Sequence, residues 1–329
     1  MRQNIKYRSN DRSIGMKLLL LLVIVILIGG VVVSIFNRNV IDELPDLAVA
    51  AAIMIDAETG EVLYERNSSQ ALPPASMSKM MTELLVLDHV NNGSLNWNDP
   101  VITSAYASDV MGAQIGFGPD EQWTVRELFD AMTVHSANDA AVALAEHIGK
   151  SEKGFVSLMN KRAKEIGLSD RSVFGNSSGL SQVDLSRFSA ASSERDTLLT
   201  SKDTAILARY LIKKYPQILE VTARASILLP SVKTKLQTTN LMLPGKTYAY
   251  PGNDGLKTGY TEQAGYCFTS TAKQGDRRLI TVVMGTSTAE SRFLETQKLL
   301  HFGFQTSILD MWLADMGAKF GLVVTAFRN

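Results

Sequence analysis

The sequence predicts an α+β domain: one antiparallel sheet formed from both ends of the folded segment, with a helical subdomain inserted between them. One apolar N-terminal helix precedes that domain. Three observations lead there. Apolar runs bounded by turn residues occur at residues 48–65 and again at 255–285. Between them, apolar residues recur at helical spacing. Strands and helices do not alternate as βαβ units, so a parallel, doubly wound sheet is not expected.

Composition narrows the class. The 329 residues are 45% hydrophobic and 20% charged, enough for a large core and too apolar for a disordered chain. Lys+Arg and Asp+Glu both number 33, so the basic excess that nucleic-acid binding needs is missing. A single cysteine excludes an internal disulfide and a Cys-rich zinc site. His89, His135, His147 and His301 show no metal-ligand spacing, and neither a metal nor a cofactor is expected. Nothing in the pattern specifies an oligomer.

The balanced charge conceals a step. Residues 1–17 carry Arg2, Lys6, Arg8, Arg12 and Lys17 against Asp11 alone, a net +4 offset by −4 in the rest. Residues 18–36 then run without a charge and span about 28 Å as a helix, enough to cross the hydrocarbon core of a bilayer. Basic residues ahead, and Asp42, Glu43 and Asp46 behind, place the leader in the cytoplasm and the remainder outside. The run exceeds the roughly 7–15 apolar residues of a secretory signal and ends in Phe36-Asn37-Arg38-Asn39, a poor cleavage site. It therefore reads as an uncleaved single-pass anchor in a lipid bilayer. Residues 37–47 make a polar linker, 48–305 the folded domain, and 306–329 a short tail.

Within the domain, Ala48–Ile55 and Glu61–Glu65 read as a hairpin around Asp56-Ala57-Glu58-Thr59-Gly60. Pro73 and Pro74 precede a helical pattern from Ser76 to about His89, ended by Asn91-Asn92-Gly93. Thr124 and Glu127 form a capping box for a helix through Val134. Asn138 or Asp139 is the expected cap of the next, through Ile148. Phe155–Ile166 and Thr204–Lys214 are further amphipathic helices. Gly255–Tyr260, Gly265–Ala272 and Arg277–Gly285 read as strands, and Ala289–His301 as a closing helix.

Three short motifs carry chemistry. Ser76-Met77-Ser78-Lys79 opens a helix, where free N–H groups favour developing negative charge, and Lys79 lies one turn on, on the same face as Ser76. A serine nucleophile needs a nearby base, which a lysine of lowered pKa can supply. Ser136-Ala137-Asn138 falls on a tight connection between helices, where a hydroxyl can relay a proton and an amide can bind a peptide group. Lys257-Thr258-Gly259 lies on a strand expected at the sheet edge facing the helical region, suited to a substrate carboxylate, with Gly259 letting a ligand backbone approach closely. Singly each motif is weak, and Ser94-Leu95-Asn96 matches the second pattern inside a surface turn. Together and in this order they form the set found in class A β-lactamases and penicillin-binding proteins.

On these motifs the chain resembles the low-molecular-mass penicillin-binding proteins, specifically D-alanyl-D-alanine carboxypeptidases. Residues 53–67, 72–87, 136–148 and 155–168, Phe174-x-Asn176-x-x-Gly179-Leu180, and residues 256–266 and 299–304 are also similar to that family. The resemblance implies a β-lactamase/transpeptidase-like fold and hydrolysis of the terminal D-Ala-D-Ala bond of peptidoglycan stem peptides, in cell-wall maturation at a bacterial membrane. β-Lactams would be covalent inhibitors. It further implies Ser76 as acylated nucleophile, Lys79 as its base, and Ser136 with Lys257 as the route of the proton to the leaving D-alanine. Asn138 would hold the substrate peptide, Thr258 and Arg292 its carboxylate, and the backbone N–H groups of Ser76 and Tyr260 the oxyanion. Tyr260 stands where relatives often carry His, residues 181–199 are longer and more Ser-rich than that connection usually is, and the family's usual C-terminal β domain is expected to be absent.

Rival readings are a β-lactamase and a catalytically dead wall-binding module. A lactamase needs a deacylating carboxylate, for which Glu165 lies in the right interval but inside a predicted helix. Gly175-Asn176-Ser177-Ser178-Gly179 matches the α/β-hydrolase nucleophile pattern but lacks its strand–turn–helix setting.

Overall fold

The computed structural model describes residues 44–191 and 195–304; the anchor over 18–36, its leader and the tail over 306–329 lie outside the described residues. No helix among the described residues is long and apolar enough to cross a membrane. Residues Asp46–Phe304 form one compact unit.

Its centre is a five-stranded sheet. Strands β1 (Ala51–Asp56) and β2 (Val62–Arg66) come from the start of the unit, and β3 (Asn253–Thr261), β4 (Gly265–Gln274) and β5 (Arg277–Thr286) from its end. The order is β2-β1-β5-β4-β3, every pair antiparallel, so β1 closes on β5 with Ala51 opposite Met284. Asp56 shapes the first turn by accepting the N–H groups of Glu58 and Thr59 at 3.0 Å each. The β4–β5 turn is tighter than the sequence suggests. Both strands run on to a Gln274↔Arg277 pair, and Gly275 supplies the positive φ that a two-residue turn needs.

Alternation along β1 explains why it is apolar throughout. Ala51, Ile53 and Ile55 join the large core under the helical subdomain, whereas Ala52 and Met54 join a second core with Phe268, Phe293, Leu299 and Leu300. Phe293, Leu299 and Leu300 belong to the last helix, Ser291–Phe304, so the sheet is covered on both faces.

The helices that position the site are α1 (Lys79–Asn91), α2 (Asn138–Gly149), α3 (Glu152–Glu165), α4 (Ser201–Lys214) and α5 (Ser291–Phe304). The helix expected from Ser76 starts instead as a 3-10 turn, Ala75–Ser78, before α1. The Thr124–Glu127 capping box is present, but its helix ends at Asp130 and continues as a π-helical turn over Ala131–His135. Neither Asn138 nor Asp139 caps α2: Ala137 is the cap residue and makes no side-chain bond. Asp139 is drawn away by the N–H groups of Ile115 and Gly116, and Asn138 by groups of the site. Three two-stranded pieces went unforeseen, Ala71–Leu72 with Leu199–Thr200, Pro100–Ile102 with Gln122–Thr124, and Ser226–Leu229 with Thr234–Gln237. Each is too short for its alternation to show in a sequence.

Candidate active site

Ser76 sits in the 3-10 turn, partly exposed, with Lys79 at the first position of α1 and fully buried. Lys79 Nζ lies 2.9 Å from Ser76 Oγ, 2.6 Å from Asn138 Oδ1 and 2.6 Å from the Ser178 carbonyl oxygen. The Asn138 and Ser178 oxygens thus point the amine at the serine hydroxyl. Burial, and secondarily the nearby Lys257 charge, holds the Lys79 pKa well below its ordinary value.

Ser136 ends the π-helical turn in a left-handed conformation, with φ +67°. This turns its hydroxyl toward β3, where Lys257 Nζ lies 2.8 Å from Ser136 Oγ and 3.0 Å from the Thr258 carbonyl. Lys257 is also buried, and its pKa is pulled down to about 7, first by burial; Glu83 opposes this and Arg292 adds to it. The two lysines therefore each face one serine.

β3 is the edge strand of the sheet, and Gly259 brings it against the Pro74–Ser76 segment. A Cβ there would stand 2.6 Å from the Pro74 carbonyl oxygen and 3.2 Å from Ser76 N. Thr258 Oγ1 donates to Thr239 Oγ1 at 2.7 Å. Arg292, in the first turn of α5, reaches the Gly259 carbonyl at 3.3 Å and lies between the rings of Tyr266 and Phe293. Tyr260 projects outward, its ring stacked on Tyr266 at 4.2 Å. The site residues named from the sequence, Ser76, Lys79, Ser136, Asn138, Lys257, Thr258, Gly259, Tyr260 and Arg292, thus converge where α1, α2, β3 and α5 meet. Asn138 is already engaged, with Oδ1 on Lys79 and Nδ2 donating to the Met111 carbonyl at 2.6 Å.

Other contributors were not foreseen. Gly175-Asn176-Ser177-Ser178-Gly179 provides backbone rather than a nucleophile: Ser178 accepts from Lys79, and Ser177 accepts from Thr82 at 2.9 Å. Asn176 shapes this loop by accepting the N–H groups of Ser178 and Gly179. Gly179 has φ +83°, and any Cβ would collide with the Ala75 carbonyl. Buried Glu152 clamps the same loop through Ser177 N and Oγ at 3.1 and 2.7 Å. The repeated small polar residues were the signal, because a loop that packs its backbone against the Ala75–Lys79 segment has no room for side chains. Glu83, buried one turn beyond Lys79, was also unforeseen.

The carboxylate weighed for a lactamase lies elsewhere. Glu165 is exposed on α3 and pairs with Arg162 at 3.0 Å, turned toward its own helix. His135 contacts the Gln237 carbonyl through Nδ1 at 2.9 Å. Among the described residues no cluster of His, Cys, Asp and Glu could hold a metal.

With this geometry in place, similarity to known proteins is informative. The family described as D-alanyl-D-alanine carboxypeptidase matches residues 38–288. The D-alanyl-D-alanine carboxypeptidase DacF of Bacillus subtilis is 40% identical over 257 residues, covering 77% of this chain and 61% of that protein. DacC of Escherichia coli is 32% identical over 274 residues, covering 80% and 63%. The chain therefore spans about three fifths of the length of these two relatives. Among solved structures, penicillin-binding protein D2 of Listeria monocytogenes with ampicillin bound has a TM-score of 0.68 at 35% identity, covering 80% of this chain and all of that one. Streptococcus pneumoniae PBP3, a peptidoglycan synthesis regulatory factor, gives 0.73 at 36% identity, covering 78% and 74%.

Proposed function

The chain belongs to the D-alanyl-D-alanine carboxypeptidase family, and from that premise we infer that it hydrolyses the terminal D-Ala-D-Ala bond of peptidoglycan stem peptides through an acyl-enzyme on Ser76. The observation that carries this reading is the buried Lys79 amine 2.9 Å from Ser76 Oγ, its pKa depressed, beside a second lysine–serine pair.

Neutral Lys79 takes the proton of Ser76 as Oγ attacks the penultimate D-alanine carbonyl. The oxyanion forms against the N–H groups of Ser76 and Tyr260; such a donor contributes about 3 kcal/mol to the transition state. As the C–N bond breaks, the leaving amine takes a proton from Ser136, which Lys257 restores across 2.8 Å. Thr258, its hydroxyl turned from Thr239, and Arg292 receive the terminal carboxylate. Asn138 orients Lys79 directly; it binds substrate by exchanging its bond to Met111. Water then attacks the ester, its proton passing through Ser136 to the now neutral Lys257 while Lys79 returns its proton to Ser76; the shortened peptide leaves and both lysines are reset. A β-lactam enters by the same attack and keeps its leaving group tethered, which slows that last step.

We further read residues 18–36 as a single-pass anchor that sets the catalytic unit outside the cytoplasm, where its substrate lies. The uncharged run and the basic leader support this reading. The reaction is tested by incubating the full chain with a peptide ending in D-Ala-D-Ala and, separately, with penicillin. Released D-alanine with slow penicillin turnover is expected. Fast penicillin hydrolysis would favour the lactamase reading, and no acylation at all a binding module.

A further inference from the structure

Glu83 lies on α1 one turn after Lys79, 1% exposed, among the core residues Met80, Leu84 and Leu87. Neither of its carboxylate oxygens has a hydrogen-bond partner among the described residues. Thr133, on the π-helical turn that ends at Ser136, faces it with a buried hydroxyl that falls short of full hydrogen-bond geometry yet still favours the carboxylate. A buried carboxylate with no hydrogen bond is costly unless a charge compensates it. The compensating charges are the two lysines: Lys257 and Lys79 both act on Glu83 electrostatically, with Lys257 the stronger.

We propose that Glu83 is a positioning residue of the reaction: a buried counter-charge that keeps a proton on Lys257, cationic beside Ser136, while Lys79 is neutral beside Ser76. The proposal rests on the carboxypeptidase reading above. With Glu83 ionised, this assignment leaves the cluster of Lys79, Lys257 and Glu83 with zero net charge, the state that burial favours. Without the carboxylate, the same assignment strands an ammonium in the core beside the Arg292 guanidinium. The charged groups facing the cluster are Lys79 and Glu83 from α1, Lys257 from β3, Asp139 from α2 and Arg292 from α5. Burial pushes Glu83 up to about 7 against the pull of the lysines and Thr133, and Lys257 sits at about 7, so the pair titrates near neutrality. Glu83 holds up the pKa of both lysines, so its loss lowers both.

The test is the pH profile of Ser76 acylation by penicillin in the full chain, comparing wild type, Glu83→Gln and Glu83→Asp. Both limbs of the Glu83→Gln profile are expected about one unit or more toward acid, with the rate at pH 9 down about tenfold. Glu83→Asp keeps the charge and should leave the limbs in place. A Glu83→Gln profile lowered evenly at every pH, with its limbs unmoved, would overturn the proposal, as would a Glu83→Asp profile displaced equally far. Should Glu83→Gln not fold, the carbon-13 shift of the Glu83 carboxyl in the wild type decides: ionised at the activity maximum is expected, protonated there overturns it. Wild-type protein that penicillin does not acylate would sink the carboxypeptidase reading itself. Normal wild-type acylation with unmoved limbs in Glu83→Gln would sink the Glu83 assignment alone.

Discussion

Gly259→Ala tests the junction between β3 and the nucleophile segment. The added Cβ would stand 2.6 Å from the Pro74 carbonyl oxygen, whereas ordinary contact begins at 3.4 Å. The two backbones must therefore part by about 0.8 Å, since the obstacle is main chain and no rotamer can relieve it. The oxygen is itself tethered, accepting from Met77 N at 3.2 Å. The displacement falls on Ser76 N and Tyr260 N, the two proposed oxyanion donors. Misplacement on the order of 1 Å costs about 10²-fold in rate, and overpacking a core costs about 1–3 kcal/mol. Penicillin acylation should fall about a hundredfold while Tm falls by about 2–10 °C. The assay is the second-order rate of labelling by a fluorescent penicillin, alongside thermal unfolding of the same preparation. Labelling within threefold of wild type would refute the reasoning, because the donors would then tolerate separation.

Other expectations follow from single contacts. A lysine at its usual 10.5 would be neutral in only about one molecule in 3,000 at pH 7; with Lys79 depressed by burial, acylation should peak near neutrality and fall as Lys257 loses its proton above about 7. A rate that climbs tenfold per pH unit from 7 to 10 would contradict that. Glu152→Ala should cost about 3–5 kcal/mol in urea unfolding, since it leaves Ser177 N and Oγ and the Tyr106 hydroxyl with a buried hole. It should also slow acylation, because the loop it clamps carries the carbonyl that orients Lys79. Arg278→Ala removes two bonds of 2.7 Å to Asp254 and one of 2.9 Å to Thr271, and should cost about 1–3 kcal/mol with acylation unchanged.

What was legible in the sequence was what recurs along it. β1 carries a continuous apolar run because it is buried on both faces, and the pairing of the two ends follows from closing one sheet. The three motifs were legible because the proposed nucleophile, relay and carboxylate site each need fixed residue types at short spacing. The remainder depends on contacts between distant segments. Ser178 serves through its carbonyl, which any residue has, so its only trace in the sequence is the run of small residues around it, which the crowding at Gly179 explains. Glu83 occupies a helix position that reads as ordinary polar surface until the fold buries it. Asn138 looked like a helix cap because its residue type favours one, and Lys79 from another helix claimed the side chain. The π-helical turn at Ala131–His135 has no sequence signature, although it is what sets Ser136 in a left-handed conformation toward Lys257.

The most direct test of the account is the mass of the chain after brief exposure to penicillin, with the modified residue located by peptide mapping and Ser76→Ala run in parallel. A single adduct of one penicillin on Ser76, absent from Ser76→Ala, is the predicted result. An adduct on another residue, or one that persists in Ser76→Ala, would contradict it.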